Sequence, residues 1–271
     1  MRVLLLSLVL MSSAAIAADG VRVVQNLDYV EGQDYADAKD KLDLYLPEAQ
    51  AGFPVVVFFH GGGLTNGNKD GSVHVGQALA SRGIGAAVVN YRLSPSVAHP
   101  DHAKDAARST AWVHRNIGQY GGDPAKIFVS GHSAGAYLAA LLVLDPRYLI
   151  HESMSPNDLA GAAPISGFFY VDKVAPDRSK DVWGEDPFDW LGASPSQFVR
   201  DDAPPMLLLY ADGDDPWRRE QNEDLKAALE AEGHKDVATV QIADRDHRGI
   251  HSSLAVDDVA LEKIVSFVKR R

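Results

Sequence analysis

The chain has 271 residues and no cysteine. No disulfide can staple it in any compartment, so burial alone must hold the fold. Positive charge is also scarce. Against 37 Asp and Glu stand 26 Lys and Arg, a formal net charge of −11. That balance argues against nucleic acid and anionic membrane surfaces as partners. Beyond the first residues no apolar run is long enough to span a bilayer, and no internal repeat or low-complexity linker divides the chain. Ligand-type clusters are absent too. His99, Asp101 and His102 lack a further His or Cys cluster at metal spacing and read as a surface loop. Asp212 to Asp215 is acidic like a calcium loop but lacks the glycine at the loop's sixth position and the closing glutamate, and Gly83 to Gly85 lacks the phosphate-loop pattern. Neither a metal nor a cofactor is expected.

What is present begins with MRVLLLSLVLMSSAAIA. One early cation (Arg2), an apolar stretch from Val3 to Met11 and a small-residue end at Ala15-Ile16-Ala17 have the layout of a signal peptide. Cleavage is expected between Ala17 and Ala18, leaving one domain over residues 18–271 and a secreted or periplasmic location. The oligomeric state is left open.

Strand and helix patterns then alternate. Leu42 to Leu46 alternates apolar and polar residues up to Pro47, as an outer strand does. Pro54 to Phe59 is apolar throughout and rich in valine, as a strand covered on both faces should be. The glycine-rich HGGGLTNGN follows, then a helical pattern through Val75, Leu79 and Ala80, a buried strand at Ile84 to Asn90, and a helix over Ala103 to Ile117. Lys126 to Ser130 reads as a strand and Ala134 to Leu144 as a helix. Further strands are expected at Leu159 to Ser166, Pro205 to Tyr210 and Asp236 to Ile242, with helices at Arg219 to Ala231 and Val256 to Val268. This rhythm predicts an α/β fold, a mostly parallel central sheet with helices on both faces. Residues 168–202 break it with scattered prolines and the aromatics Phe168, Phe169, Tyr170, Trp183, Phe188, Trp190 and Phe198. Such an insertion reads as a cap over a pocket.

At the centre lies GHSAG, residues 131–135. Three fixed small positions arise by chance in roughly one chain in ten of this length, so context must decide. A strand precedes Gly131 and a helix follows Ser133, the setting in which a sharp turn lifts a serine oxygen clear of a sheet. A serine hydroxyl is a weak nucleophile until a base takes its proton, and the base needs a third group to orient it. The base is expected after the last strand, where ADRDHRGIHSS offers His247 and His251. His247, soon after the strand end, is favoured. The acid is expected after PMLLLY, where ADGDDP offers Asp212, Asp214 and Asp215. Asp214 is favoured, with Asp212 as a turn residue and Asp215, before Pro216, as a turn or helix-cap residue. Upstream, His60-Gly61-Gly62-Gly63 directly follows a strand, and glycines without a Cβ permit close approach of backbone N–H groups to a developing oxyanion. Gly62 and Gly63, with Ala134 next to the serine, are the expected donors.

HGGG, NYRLSP, YGGDPAKI, GHSAGAYLA, DGDDP and the Asp-His pair at 246–247 occur in the order found in the α/β-hydrolase superfamily, which the chain resembles over nearly its whole mature length. The order Ser133, Asp214, His247 is that superfamily's. Within it the chain is similar to HGGG-type carboxylesterases of the hormone-sensitive-lipase-like kind, to prenylcysteine methylesterases and to arylformamidases. YGGDP and the alanine after GHSAG point to the last two. It departs from them at Leu64, where relatives often carry an aromatic, and at His132, where the lipase-like group has an acid. The resemblance implies hydrolysis of small or aryl carboxylic esters through an acyl-enzyme. An arylformamide or other amide is the alternative bond, and a non-catalytic binding module is the third reading.

Overall fold

The computed structural model describes residues 15–17, 20–30, 32, 35–48, 50–255 and 258–271. Of the expected signal peptide, residues 1–14 lie outside the described residues. Among those described, nine strands form one sheet: β1 (Ala15–Ala17), β2 (Val21–Asp28), β3 (Lys41–Pro47), β4 (Phe53–Phe59), β5 (Gly85–Val89), β6 (Gly122–His132), β7 (Gly161–Ile165), β8 (Met206–Gly213) and β9 (Val237–Asp246). Their order is β1-β2-β3-β5-β4-β6-β7-β8-β9. The pairs from β1 to β5 are antiparallel, and those from β5 to β9 are parallel. The helices are α1 (Val73–Ser81), α2 (Asp101–Asn116), α3 (Ala134–Leu144), α4 (Pro146–His151), α5 (Lys180–Trp183), α6 (Pro187–Gly192), α7 (Pro216–Glu232), α8 (Gly249–Ser252) and α9 (Val259–Lys269).

The period of two in the strands splits the core into two layers. From β4, Val55, Val57 and Phe59 join Ala106, Leu138, Leu141 and Leu225 of α2, α3 and α7 on one face. Val56 and Phe58 join Val75, Leu79, Leu261 and Ile264 of α1 and α9 on the other. A strand apolar on both sides is what such a position requires. Every residue of α3 is buried, which explains why GAYLAALLVL shows no polar stripe.

The edge of the sheet departs from the sequence reading. β3 is not an outer strand, since β2 and β1 lie outside it. Asp43, the polar residue that suggested a solvent face, is buried, pairs with buried Lys69 at 2.8 Å and accepts the Asn26 N–H at 2.7 Å. Strand β2 was not expected at all. Its register shifts between Val24 and Leu27, where Asn26 takes φ 56°, so polar residues interrupt the pattern. His102 differs too. It is fully buried in the first turn of α2, 3.2 Å from Ser94 Oγ, rather than in a surface loop.

Residues 168–202 fold as short helical turns around α5 and α6. Phe168 stacks on Tyr137 with ring centres 4.9 Å apart, and Trp183 Nε1 donates to Tyr137 Oη at 3.3 Å, which ties the segment to the first turn of α3. Phe169 and Tyr170 donate their N–H groups to Gln221 of α7. A cavity of about 570 Å³ opens between this segment and Ala98, His99 and Tyr148, with none of Ser133, Asp214 or His247 in its wall.

Candidate active site

Strand β6 ends at His132 and α3 begins at Ala134, so Ser133 must turn the chain alone, at φ 56° and ψ −112°. A non-glycine residue held there costs of order 1–3 kcal/mol and persists because its surroundings fix it. Its N–H donates to Ile165 O at 2.9 Å. The flanking glycines have no room for a side chain. A Cβ on Gly131 would stand 2.6 Å from Phe59 O, and one on Gly135 2.0 Å from the same atom. The GxSxG spacing is therefore a packing requirement where β4, β6 and α3 meet.

The histidine and the carboxylate arrive from the ends of the two last strands. Asp214 directly follows β8 and His247 directly follows β9. His247 Nε2 lies 3.0 Å from Ser133 Oγ, and His247 Nδ1 lies 2.6 Å from Asp214 Oδ1. Asp214 Oδ2 accepts from Ser166 Oγ at 2.5 Å and from the Ala211 N–H at 2.9 Å. Burial by itself would raise this carboxyl's pKa. The hydrogen bonds from His247, Ser166 and Ala211 outweigh it and hold Asp214 below the ordinary carboxylate value. Arg218, buried in the first turn of α7, places Nε 3.7 Å from Asp214 Oδ1 and donates to Ser166 O at 2.8 Å. Burial lowers its pKa to about 10. Behind the imidazole, His132 Nε2 donates to the His247 carbonyl at 2.7 Å, and the two rings lie 4.6 Å apart. Burial first, then the nearby His247 and His251, drives the His132 pKa well down, so this ring is neutral.

The alternatives go elsewhere. Asp212 accepts the N–H groups of Asp244 and Arg245, bracing β9. Asp215 is the residue before α7, with Pro216 opening the helix. His251 stacks on His132 with ring centres 5.0 Å apart and lies 3.1 Å from Ser72 Oγ.

The loop after β4 completes the cavity. As the first residue of α3, Ala134 has no acceptor one turn back for its N–H. Gly62 and Gly63 make no hydrogen bond through their N–H groups among the described residues. Gly62 is at φ 119°, and a Cβ there would stand 2.1 Å from Asn66 O, so the loop must be glycine. His60 anchors it: Nδ1 donates to Gly61 O at 2.7 Å, and burial lowers the ring's pKa to about 4. Tyr91 stacks on His60 at 4.3 Å and donates to His60 O at 2.8 Å. The neighbours of Tyr91 in NYRLSP are also tied down. Asn90 Oδ1 accepts the Lys69 N–H at 2.6 Å, and Arg92 grips Asp105 with two nitrogens at 2.7 and 2.8 Å.

Thus Ser133, His247 and Asp214 come together, Gly62 and Gly63 line the same cavity as Ser133, and Ala134 follows the serine at the start of α3. Ser166, Arg218 and the bracing role of His132 were not read from the sequence. The cavity holds about 580 Å³ and is also walled by Asn68, Ser72, His251, Arg178 and Arg248. Among the described residues, no group of three or more His, Cys, Asp or Glu is placed to hold a metal ion.

Comparison with known proteins agrees with this architecture. Residues 42–158 match the BD-FAE family. A probable carboxylic ester hydrolase of Mycobacterium tuberculosis is 30% identical over 233 residues, 77% of this chain and 54% of that protein. An isoprenylcysteine α-carbonyl methylesterase of Arabidopsis thaliana is 30% identical over 220 residues, 73% of this chain and 51% of that protein. A kynurenine formamidase of Danio rerio is 28% identical over 238 residues, 85% and 78% of the two chains. The chain spans about half the length of the first two of these relatives. Among solved structures, a truncated carbohydrate esterase from gut microbiota superposes with a TM-score of 0.80 at 19% identity, covering 94% of this chain and 98% of that one. By its fold, the order of its motifs and these likenesses, the chain belongs to the α/β-hydrolase superfamily.

Proposed function

We propose that the protein is a serine carboxylesterase acting on small or aryl carboxylic esters through an acyl-enzyme. The observation that carries this is the continuous path from Ser133 Oγ to His247 Nε2 at 3.0 Å and from His247 Nδ1 to Asp214 Oδ1 at 2.6 Å. Ser133 Oγ attacks the ester carbon as His247 Nε2 takes its proton. Asp214 holds the imidazole in the productive tautomer and stabilises the imidazolium. The N–H groups of Gly62, Gly63 and Ala134 receive the negative oxygen, each such donor typically worth about 3–4 kcal/mol in the transition state. His247 then gives the proton to the departing alcohol, and the C–O bond breaks. Water, deprotonated by the same ring, attacks the acyl-serine and releases the acid.

An arylformamide can pass through the same steps with an amine as leaving group. The formamidase likeness, which extends over most of both chains, favours keeping this second reading. Residues 1–17 belong to the same proposal as a cleaved signal peptide directing a secreted or periplasmic enzyme; cleavage after Ala17 removes the edge strand β1 and leaves β2 at that edge of the sheet. The test is hydrolysis of p-nitrophenyl acetate by the wild type and by Ser133→Ala. Wild-type turnover with loss in the variant supports the reading, and full residual activity in the variant removes it. Relative rates on short acyl esters, aryl-acid esters and N-formylkynurenine rank the bonds.

A further inference from the structure

The wall of the cavity around Ser133 has the opposite sign to the rest of the protein. The chain carries a formal charge of −11, yet three arginines, Arg178, Arg218 and Arg248, line this cavity and no Asp or Glu does. Asp214 lies behind His247, with its carboxylate fully engaged.

The three cations are not equivalent. Arg218 is buried and committed to Ser166 O and Asp214. Arg248 is exposed beside His247. Arg178 comes from the 168–202 insertion, and its guanidinium makes no hydrogen bond or ion pair among the described residues. Its Nη1 stands 3.2 Å from the point that a Cβ on Gly63 would occupy, so it hangs directly over the glycine loop. The carboxylates nearest in sequence do not quench it. Asp181 accepts from Ser179, and Asp177 forms no ion pair with it. Arg178 and Arg218 are also close enough for the charge of Arg178 to disfavour that of Arg218.

Two like charges facing an acid-free cleft concentrate positive potential, and an anion between them relieves their repulsion. The planar fork of a guanidinium fits a carboxylate through two parallel hydrogen bonds. The oxyanion of the reaction does not need this fork, because the N–H groups of Gly62, Gly63 and Ala134 are available for it. We propose that the site selects esters that carry a carboxylate a few bonds from the scissile carbonyl, bound by Arg178 in the field of Arg218 and Arg248. The proposal rests on the esterase reading and narrows its substrate class.

Four esters test it. Mono-4-nitrophenyl adipate against 4-nitrophenyl hexanoate places the carboxylate on the acyl side. 4-Acetoxybenzoate against its methyl ester places it on the alcohol side. In one pair the wild type is expected to favour the anionic member by about tenfold in kcat/KM, chiefly through KM, with the preference shrinking as salt is added. Arg178→Gln should collapse that ratio, and Arg178→Lys should restore part of it. The pair that shows the preference identifies the side bearing the carboxylate. Equal or faster turnover of the neutral member in both pairs overturns the proposal while leaving the esterase reading intact, as does a ratio unchanged in Arg178→Gln. Failure to hydrolyse any of the four overturns both.

Discussion

Ser166 Oγ donates to Asp214 Oδ2 at 2.5 Å, from a serine held at φ 49° directly beyond the end of β7. Three consecutive parallel strands, β7, β8 and β9, thus deliver Ser166, Asp214 and His247 to one point. The serine fixes the carboxylate so that its other oxygen faces the imidazole.

The first prediction follows from that alignment. Asp214→Asn should lower kcat by about 10³–10⁴-fold, because an amide no longer fixes the tautomer with Nε2 free to accept the serine proton. Asp215→Asn should change kcat less than tenfold, since Asp215 only precedes α7. Ser166→Ala should fall between, near tenfold, with the loss of one hydrogen bond to a charged group. Steady-state kinetics on p-nitrophenyl acetate gives the ranking, and a larger effect at Asp215 than at Asp214 would reverse the assignment.

Two histidines of the last loop separate in the same assay. His247→Ala removes the group bonded to both Ser133 and Asp214, and should cost at least about 10³-fold in kcat. His251→Ala loses a contact with Ser72 and a ring stacked on His132, so the expected cost is at most about tenfold. Comparable losses at the two positions would show that the cluster His132, His247 and His251 works as one unit.

The legible parts of this site were those set by neighbours in sequence. The apolar run Ile127-Phe128-Val129, a glycine two residues to each side of Ser133 and an apolar helix define the turn locally, so β6 and α3 were readable. Asp214 and His247 were readable because each follows a strand end. Ser166 was not, because its value lies in the β7–β8 pairing, which no spacing reveals. Arg218 looks like an ordinary basic residue on an amphipathic helix, and only the approach of α7 to the end of β7 buries it. Asp43 misled for the same reason. Its partner Lys69 is remote in sequence, so a buried ion pair resembled the polar face of an outer strand.

Acid should loosen the fold before it protonates most carboxylates. Burial lowers the pKa of His60 and of His102 to about 4. The folded-state value lies below the unfolded one, near 6.5, so below that pH the unfolded chain takes up protons that the fold refuses. Stability is then complete above pH 6.5 and declines from there toward pH 4, by up to roughly 3 kcal/mol for each such ring. Urea unfolding at pH 7.5 and pH 5 should show the midpoint falling, and His102→Gln should make the fall smaller. A midpoint independent of pH over this range, or an unchanged slope in the variant, would contradict the account.

The tightest constraint on the site is steric. A Cβ at Gly135 would stand 2.0 Å from Phe59 O and 2.8 Å from His60 O, both backbone atoms, so no rotamer change can relieve it. Room has to come from shifting α3 against the end of β4, which carries the Gly62–Gly63 loop, or from opening the turn at Ser133. Gly135→Ala should therefore cost more than 3 kcal/mol, in the range of severe overpacking. Any folded fraction should also be nearly inactive, because the same shift moves the nucleophile relative to the loop. Gly118→Ala is the control, with no atom within 4 Å of its Cβ and a backbone an alanine can adopt. It should keep both the melting temperature and the activity of the wild type. Thermal denaturation beside ester hydrolysis decides the matter: a Gly135→Ala protein that melts with the wild type and stays active would mean that the turn is not the packed junction described above.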